Sequence, residues 1–292
     1  MLASLSNNTI QQYNVTFKLW WQYCSYNGHN FFDCSGAAYG SLNSHRSALS
    51  MLLGSNVGSD DRVKRLLKGV FKLKPSFPKY SSTWDPQVVL NHVSNWYPNR
   101  ELTREKLTKK LVILLALCTA QRVQTLSLVK LENISINPSG INIAIKDIIK
   151  TSAAGREQPS LFLPYFRENE RICPAKTLED YLHVTREDRP ARVSNLLITV
   201  KRPYRSATAQ SISRWIKQAL SESGVDVAAF GAHSTRHAAT SAAAAAGVSI
   251  DTIRKAAGWT NTSKVFAKFY HRQIIDNNNF AQLVLNQGDS AF

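Results

Sequence analysis

Hydrophobic positions along the chain recur mostly at helical spacing, interrupted once by strand-like alternation. Residues 9–26 carry Ile10, Tyr13, Phe17, Trp20, Trp21 and Tyr23 at near-helical intervals, which predicts a first helix. A Gly/Asn-rich stretch, 27–40, breaks the pattern, and 44–53 reads as a second helix. The first half of 62–79 (RVKRLLKGVFKLKPSFPK) fits a basic amphipathic helix; Pro75 and Pro78 end it, so 75–82 reads as a linker. Residues 85–96 and 104–119 are again helix-spaced, and a short helix is expected over 122–129. Next, 133–136, the turn Asn137-Pro138-Ser139-Gly140 and 141–149 predict a β-hairpin, with 160–166 as a third strand. Helices are expected once more over 176–186, 209–223, 233–246, 250–257 and 263–271. A last apolar run, 280–285, sits in a polar tail. The fold class is therefore mainly α with a small antiparallel β-sheet.

At 292 residues the chain has room for about two domains, and the linker divides it into 1–74 and 84–275, with a tail at 276–292. A hydrophobic fraction of 43% supports packed cores rather than disorder. The longest apolar run, 111–120, falls short of the roughly 18 to 20 residues a membrane span needs. The opening residues lack a basic stretch followed by an apolar one, so secretion is not expected. Cys24, Cys34, Cys118 and Cys173 form no CxxC pair, which argues against a zinc ribbon or disulfide framework and fits a reducing compartment.

Charge changes the picture more. Lys and Arg number 36 against 20 Asp and Glu, a net charge of +16. Such an excess points to a polyanionic partner, bound through phosphate neutralisation and counterion release. Residues 1–100 hold ten basic and four acidic side chains, and the remainder hold 26 and 16, so both halves are positive. That distribution suits a protein that closes around a duplex better than one with a single basic tail. No lipidation signal supports a membrane surface instead. The densest basic stretch supplies Arg62, Lys64, Arg65, Lys68, Lys72 and Lys74 as candidate phosphate contacts.

Candidate chemistry emerges by subtraction. The chain has no glycine-rich nucleotide loop and no GxSxG elbow. His233 and His237 have zinc-helix spacing, but the metalloprotease glutamate is missing and Arg236 lies between them, so no metal is expected. A phosphate-handling set remains. His233-Ser-Thr-Arg236 opens a helix, a favourable place for an anion, with its His and Arg on one face. Arg122 follows the apolar segment 111–120, where a cation is costly without an anionic partner. Gly258-Trp259 precedes Tyr270, the sole tyrosine after the His-Arg pair. Each residue alone has an ordinary structural reading; the ordered set does not.

Three blocks carry a specific resemblance: QRVQTLSLVKLENI, AIKDIIKTSAAGREQPSLFL, and AHSTRHAATSAAAAAGVSIDTIRKAAGWTNTSKVFAKFYHR. Over about 104–272 the chain resembles the catalytic domain of the tyrosine recombinases, and the last block is similar to Cre-like members. The QRVQTL context and FYHR ending resemble tyrosine recombinases of eukaryotic mobile elements, the DIRS-like retrotransposons. Residues 1–80 resemble the family more weakly, through TIQQYNVTFKLWWQYC and SLNSHRSALS.

The resemblance implies a two-domain DNA clamp. In it, 1–74 would be a helical core-DNA-binding domain, short for the family, and 84–275 the catalytic domain. The tail 276–292 would be an exchange helix docking on a neighbouring protomer, although packing on its own domain or fraying stays an equal alternative. The implied activity is site-specific DNA recombination or integration, without metal, ATP or other cofactor, on double-stranded DNA, with self-association as a dimer or tetramer. Tyr270 would be the nucleophile, leaving a 3′-phosphotyrosyl bond and a free 5′-hydroxyl. Arg122 and Arg236 would clamp the non-bridging oxygens. His233 would assist proton transfer, Trp259 would donate its indole N–H to the phosphate, and Lys150, with Lys146 as alternative, would protonate the leaving oxygen. A eukaryotic member would work in the nucleus, others in the cytoplasm.

The chain departs from the family pattern in three places. Position 125 is Thr where an acidic residue is usual. Trp259 and Tyr270 are 11 positions apart, about two more than in Cre-like members. The pattern also yields fewer N-terminal helices than the family's four. A catalytically inactive DNA-binding protein of the same fold and a type IB topoisomerase are the alternatives.

Overall fold

The computed structural model describes residues 7–25, 38–75, 80–260, 270 and 273–274. The chain forms two compact units, Met1–Lys79 and Tyr80–Phe292.

The first unit is helical: α1 (Asn7–Ser25), α2 (Tyr39–Leu53), α3 (Asn56–Ser59) and α4 (Asp61–Leu73). Helix α2 packs on all three others. It starts at Tyr39, five residues before the position its apolar spacing predicts, and Tyr39 makes an edge-to-face contact with Phe71 of α4 at 5.4 Å. The single turn α3 has no counterpart in the sequence pattern and brings the unit to four helical segments among the described residues. Helix α4 opens on Asp60, whose carboxylate accepts from the backbone N–H groups of Arg62 and Val63. It buries Leu67 and runs to Leu73, past the half predicted.

The second unit is built around α6 (Arg104–Thr119), which is apolar on every side from Leu111 to Ala116 and buried over that stretch. Thr103 caps its start by accepting from Lys106 N. Ala120 ends it in the left-handed region at φ 48°, a conformation that costs a non-glycine residue about 1 kcal/mol. Against α6 pack α8 (Pro174–Thr185), α9 (Ala209–Glu222), α10 (Ser234–Ala245) and the sheet. Helix α5 (Pro86–Ser94), the short α7 (Val123–Ser127) and α11 (Ile250–Ala256) complete the described helices.

The three-stranded antiparallel sheet runs β2 (Ile134–Asn137), β3 (Gly140–Ala144) and β4 (Ser160–Pro164). Ile141 and Ile143 of β3, with Leu161 and Leu163 of β4, face the core, the period-2 alternation the sequence shows. The Asn137 side chain closes the β2–β3 turn by accepting from Ser139 N and Gly140 N, both at 3.1 Å. Gly140 is needed there, because a Cβ would sit 2.3 Å from the Leu163 carbonyl oxygen. The expected run to 149 stops at Ala144, although Ile145 N still bonds Pro159 O at 3.2 Å.

One pairing has no counterpart in the sequence pattern. β1 (Ser82–Thr83) lies parallel to β5 (Gln273–Ile274), with Ser82 opposite Gln273 and Thr83 opposite Ile274. Residues 82 and 83, read as linker, are therefore strand. Residues 82–83 and 273–274, 191 positions apart, are held side by side. Among the described residues no helix is long and apolar enough to cross a membrane. The expected helix over 263–271, apart from Tyr270, and the run 280–285 lie outside the described residues.

Candidate active site

The site forms where the end of α6, the start of α10, the end of α11 and Tyr270 converge. Helix α10 begins at His233, and its first two turns bury Ser234, Thr235, Arg236, His237, Thr240 and Ser241. So polar a helix start is held by partners from elsewhere. Trp84 Nε1 donates to Ser234 Oγ at 2.8 Å, and Ser241 Oγ donates to the Tyr270 carbonyl oxygen at 2.7 Å. Gly231 N donates to the Tyr80 hydroxyl at 3.3 Å.

Tyr270 is 8% exposed, and its hydroxyl lies 2.9 Å from His233 Nε2. Its ring stacks on His237, with centroids 4.2 Å apart and planes at 20°, and meets Trp259 at 4.8 Å. The tyrosine is thus gripped on its ring and backbone while its oxygen faces the His233 imidazole.

Arg236 is 1% exposed. Its Nη1 donates to Ala120 O at 2.5 Å and its Nη2 to Ala257 O at 2.6 Å, so the left-handed Ala120 turns a carbonyl toward this guanidinium. The guanidinium carbon lies 4.3 Å from the Trp259 ring centroid and 5.4 Å from that of Tyr270. Its Nε is buried without a hydrogen-bond partner among the described residues. Burial, and then the charge of Arg122, push its pKa down to about 9, while Tyr270 pulls the other way.

Arg122 is the cap residue of α7, half-buried, and burial likewise lowers its pKa, opposed by Tyr270 and reinforced by Arg156. Neither Arg122 nor Arg236 has an ion pair among the described residues. Two desolvated guanidiniums, the charge of Arg122 acting on Arg236 and neither with a carboxylate, make a site that an anion would relieve.

Trp259 is delivered by a helix end. Gly258, at φ +66°, follows the α11 cap, Gly258 N bonds Lys255 O at 3.0 Å, and Trp259 N bonds Arg254 O at 2.8 Å. A side chain at 258 would be strained by that φ, so the Gly-Trp order has a backbone cause. Gln121 Nε2 donates to Ala256 O at 2.7 Å, joining the ends of α6 and α11.

Of the residues predicted from sequence, the structure brings together Arg122, His233, Arg236, Trp259 and Tyr270. Lys150 and Lys146 stand exposed in the segment between β3 and β4, without a side-chain hydrogen bond or ion pair among the described residues. Thr125, in place of the usual acidic residue, is buried in α7. All six basic residues of 62–74 are exposed. Arg62 pairs with Asp60 at 2.8 Å, which holds that carboxylate near pKa 2, and Lys64 pairs with Asp61 at 3.2 Å. Arg65, Lys68, Lys72 and Lys74 have no ion pair among the described residues.

Sequence reasoning missed His237, whose i, i+4 relation to His233 was weighed only for metal, and Arg156. The Arg156 guanidinium donates to Thr151 O at 3.0 Å and to Gly258 O at 3.1 Å. Among the described residues no cluster of His, Cys, Asp and Glu could hold a metal ion.

A mainly helical fold with a three-stranded sheet thus carries an Arg/His/Arg/Trp/Tyr cluster at the meeting of α6, α10 and α11. Residues 91–274 match the sequence model of the phage integrase family, and the chain belongs to that family, whose members are tyrosine recombinases. No curated protein matches the sequence. Among solved structures the chain is similar to the XerH site-specific recombinase bound to palindromic difH substrate in a post-cleavage complex, at 16% identity and TM-score 0.58, covering 88% of this chain and 69% of that one. It is also similar to a lambda integrase dimer bound to a COC′ core site, at 12% identity and TM-score 0.50, covering 94% and 93%. A third is the Tn1549 transposon integrase in complex with circular intermediate DNA, at 12% identity and TM-score 0.50, covering 87% and 80%. At such identities the likeness is one of fold.

Proposed function

We propose that this protein is a DNA strand-exchange enzyme in which Tyr270 attacks a phosphodiester. The observation that carries this reading is the 2.9 Å contact of the Tyr270 hydroxyl with His233, beside two desolvated guanidiniums that lack a carboxylate. In the step, the Tyr270 oxygen bonds to phosphorus as His233 takes its proton. The bond from phosphorus to the 5′ oxygen breaks, and Lys150, or Lys146, protonates that oxygen. Arg122 and Arg236 hold the non-bridging oxygens, where charge accumulates, and Trp259 closes the site beside them. The 3′-phosphotyrosyl bond keeps the phosphodiester energy for rejoining.

The same reading assigns 1–74 to duplex binding through Arg65, Lys68, Lys72 and Lys74, with Arg62 and Lys64 at its edge. It assigns 84–275 to catalysis and 276–292 to protomer exchange in a dimer or tetramer on double-stranded DNA. Because QRVQTL and FYHR favour the DIRS-like branch, integration of a mobile element is the biological outcome we assign. Thr125 favours a second reading, a DNA-binding protein of this fold that no longer cleaves.

A nicked suicide duplex, built from DNA flanking the coding sequence, separates the two. Wild type should form a covalent adduct and Tyr270→Phe none, with binding retained in both. Binding without adduct in wild type would favour the second reading. Relaxation of supercoiled plasmid without any site requirement would mark a type IB topoisomerase.

A further inference from the structure

The segment between β3 and β4 carries Lys150, and it is secured by few side chains. Within it, Ser152 Oγ accepts from Ile149 N at 2.9 Å and pairs with Gln158. Outside it, Lys130 holds Asp147 at 3.0 Å near its beginning. Near its end, Gly155 turns the chain at φ +69° and Arg156 follows, half-buried. The Arg156 guanidinium grips two carbonyls at once: Thr151, the neighbour of Lys150, and Gly258, the neighbour of Trp259 and 102 positions away. No carboxylate competes for it among the described residues. A planar fork can bridge two carbonyl oxygens in this way, whereas a lysine ammonium on a flexible stem bridges them poorly.

We propose that Arg156 is a positioning residue, which fixes Lys150 at the leaving oxygen by fastening its segment to the turn that bears Trp259. The proposal rests on the assignment of Lys150 as proton donor. Arg156 touches neither nucleophile nor phosphate in it; its effect passes through Lys150.

A change of leaving atom tests this. In a suicide duplex whose scissile 5′ bridging oxygen is replaced by sulfur, Tyr270 O–P forms and P–S breaks. The sulfur departs as a thiolate, carrying the electron pair and needing no proton, because thiols are far more acidic than alcohols. With the oxygen substrate, Lys150→Ala and Arg156→Ala should each slow single-turnover adduct formation by about 100-fold. Arg156→Lys should fall between Arg156→Ala and wild type. With the sulfur substrate, both alanine variants should return to near the wild-type rate, and Arg156→Gln should follow Arg156→Ala. Arg156→Gln gives the same reading should the alanine variant fold poorly.

Rescue of Lys150→Ala but of neither Arg156 variant would overturn the proposal, since the arginine would then act on the fold or on the phosphate itself. Failure to rescue Lys150→Ala, or rescue confined to Lys146→Ala, would remove the donor assignment and the proposal with it. Absence of adduct from wild type on both substrates would instead strike the nucleophile assignment.

Discussion

Among the described residues of the second unit two cations, a lysine and an arginine, are buried, and their surroundings are opposite. Lys110, in α6, is 0% exposed; its ammonium donates to Trp96 O at 2.5 Å and Asn99 Oδ1 at 2.8 Å. Asn99 in turn donates to Asp180 at 2.9 Å, so a carboxylate stands at the end of the chain of bonds. Arg236 has two carbonyls, two aromatic faces and a second guanidinium, but no carboxylate. Burial lowers both pKa values, to about 8 for Lys110 and about 9 for Arg236. Asp180 offsets the effect for the lysine, whereas Arg122 adds to it for the arginine. A structural cation comes with its counter-charge; on the proposed reading, the second site leaves that place to a phosphate.

That contrast breaks first at Arg236. Arg236→Ala should slow adduct formation by about 1,000-fold on the suicide duplex while duplex affinity changes little. A comparable loss of affinity would mean the residue holds the fold rather than the transition state.

Lys110→Met should reverse the pattern. It leaves Trp96 O and Asn99 Oδ1 without their buried donor, which costs about 1 to 3 kcal/mol in urea unfolding. The cleavage rate of the folded variant should match wild type. The folded pKa of Lys110 lies below its ordinary 10.5, so between pH 8 and 10.5 the unfolded chain binds more protons. Wild-type stability therefore gains a contribution as pH rises across that window, and Lys110→Met should lack it. Equal slopes in the two proteins would deny that the lysine is desolvated as described.

The smallest effect separates paired from unpaired cations on α4. Neutralising Arg65 and Lys68 should weaken binding to every duplex and lower the salt slope by about 2. Neutralising Arg62 and Lys64, already partnered by Asp60 and Asp61, should lower it less. Slopes that fall equally would show that these ion pairs exchange freely for phosphate.

The sequence makes one of these buried cations legible and hides the other. Arg236 stands in a motif, three residues after His233 and in the first turn of an alanine-rich helix, and its order with Arg122, Trp259 and Tyr270 is readable without coordinates. Lys110 sits beside Lys109 at the edge of an apolar helix, where both read as solvated. Lys109, largely covered, pairs directly with Glu222 at 2.7 Å, while Lys110 is buried against Trp96 O and Asn99. Such a difference depends on which face α8 and the Asn99 turn cover, which is tertiary information. Core strands β3 and β4 were visible from their alternation. The β1–β5 pair was not, since two residues a strand give no period and the partners lie 191 positions apart. Arg156 was missed for a related reason: both its partners are backbone carbonyls, which leave no trace in side-chain patterns.

The short strand pair has a consequence for Tyr270. Gln273 is only three residues beyond Tyr270, so the register of β5 on β1 sets how much chain is left to reach the site. A slip of one residue would carry the tyrosine along by about 3.3 Å. The hydroxyl of Tyr270, at 2.9 Å from His233, would be drawn well out of bonding range by such a step. On the proposed reading, two backbone rungs beside α10 thus serve as a vernier for the Tyr270 oxygen, with one notch separating an armed site from an idle one.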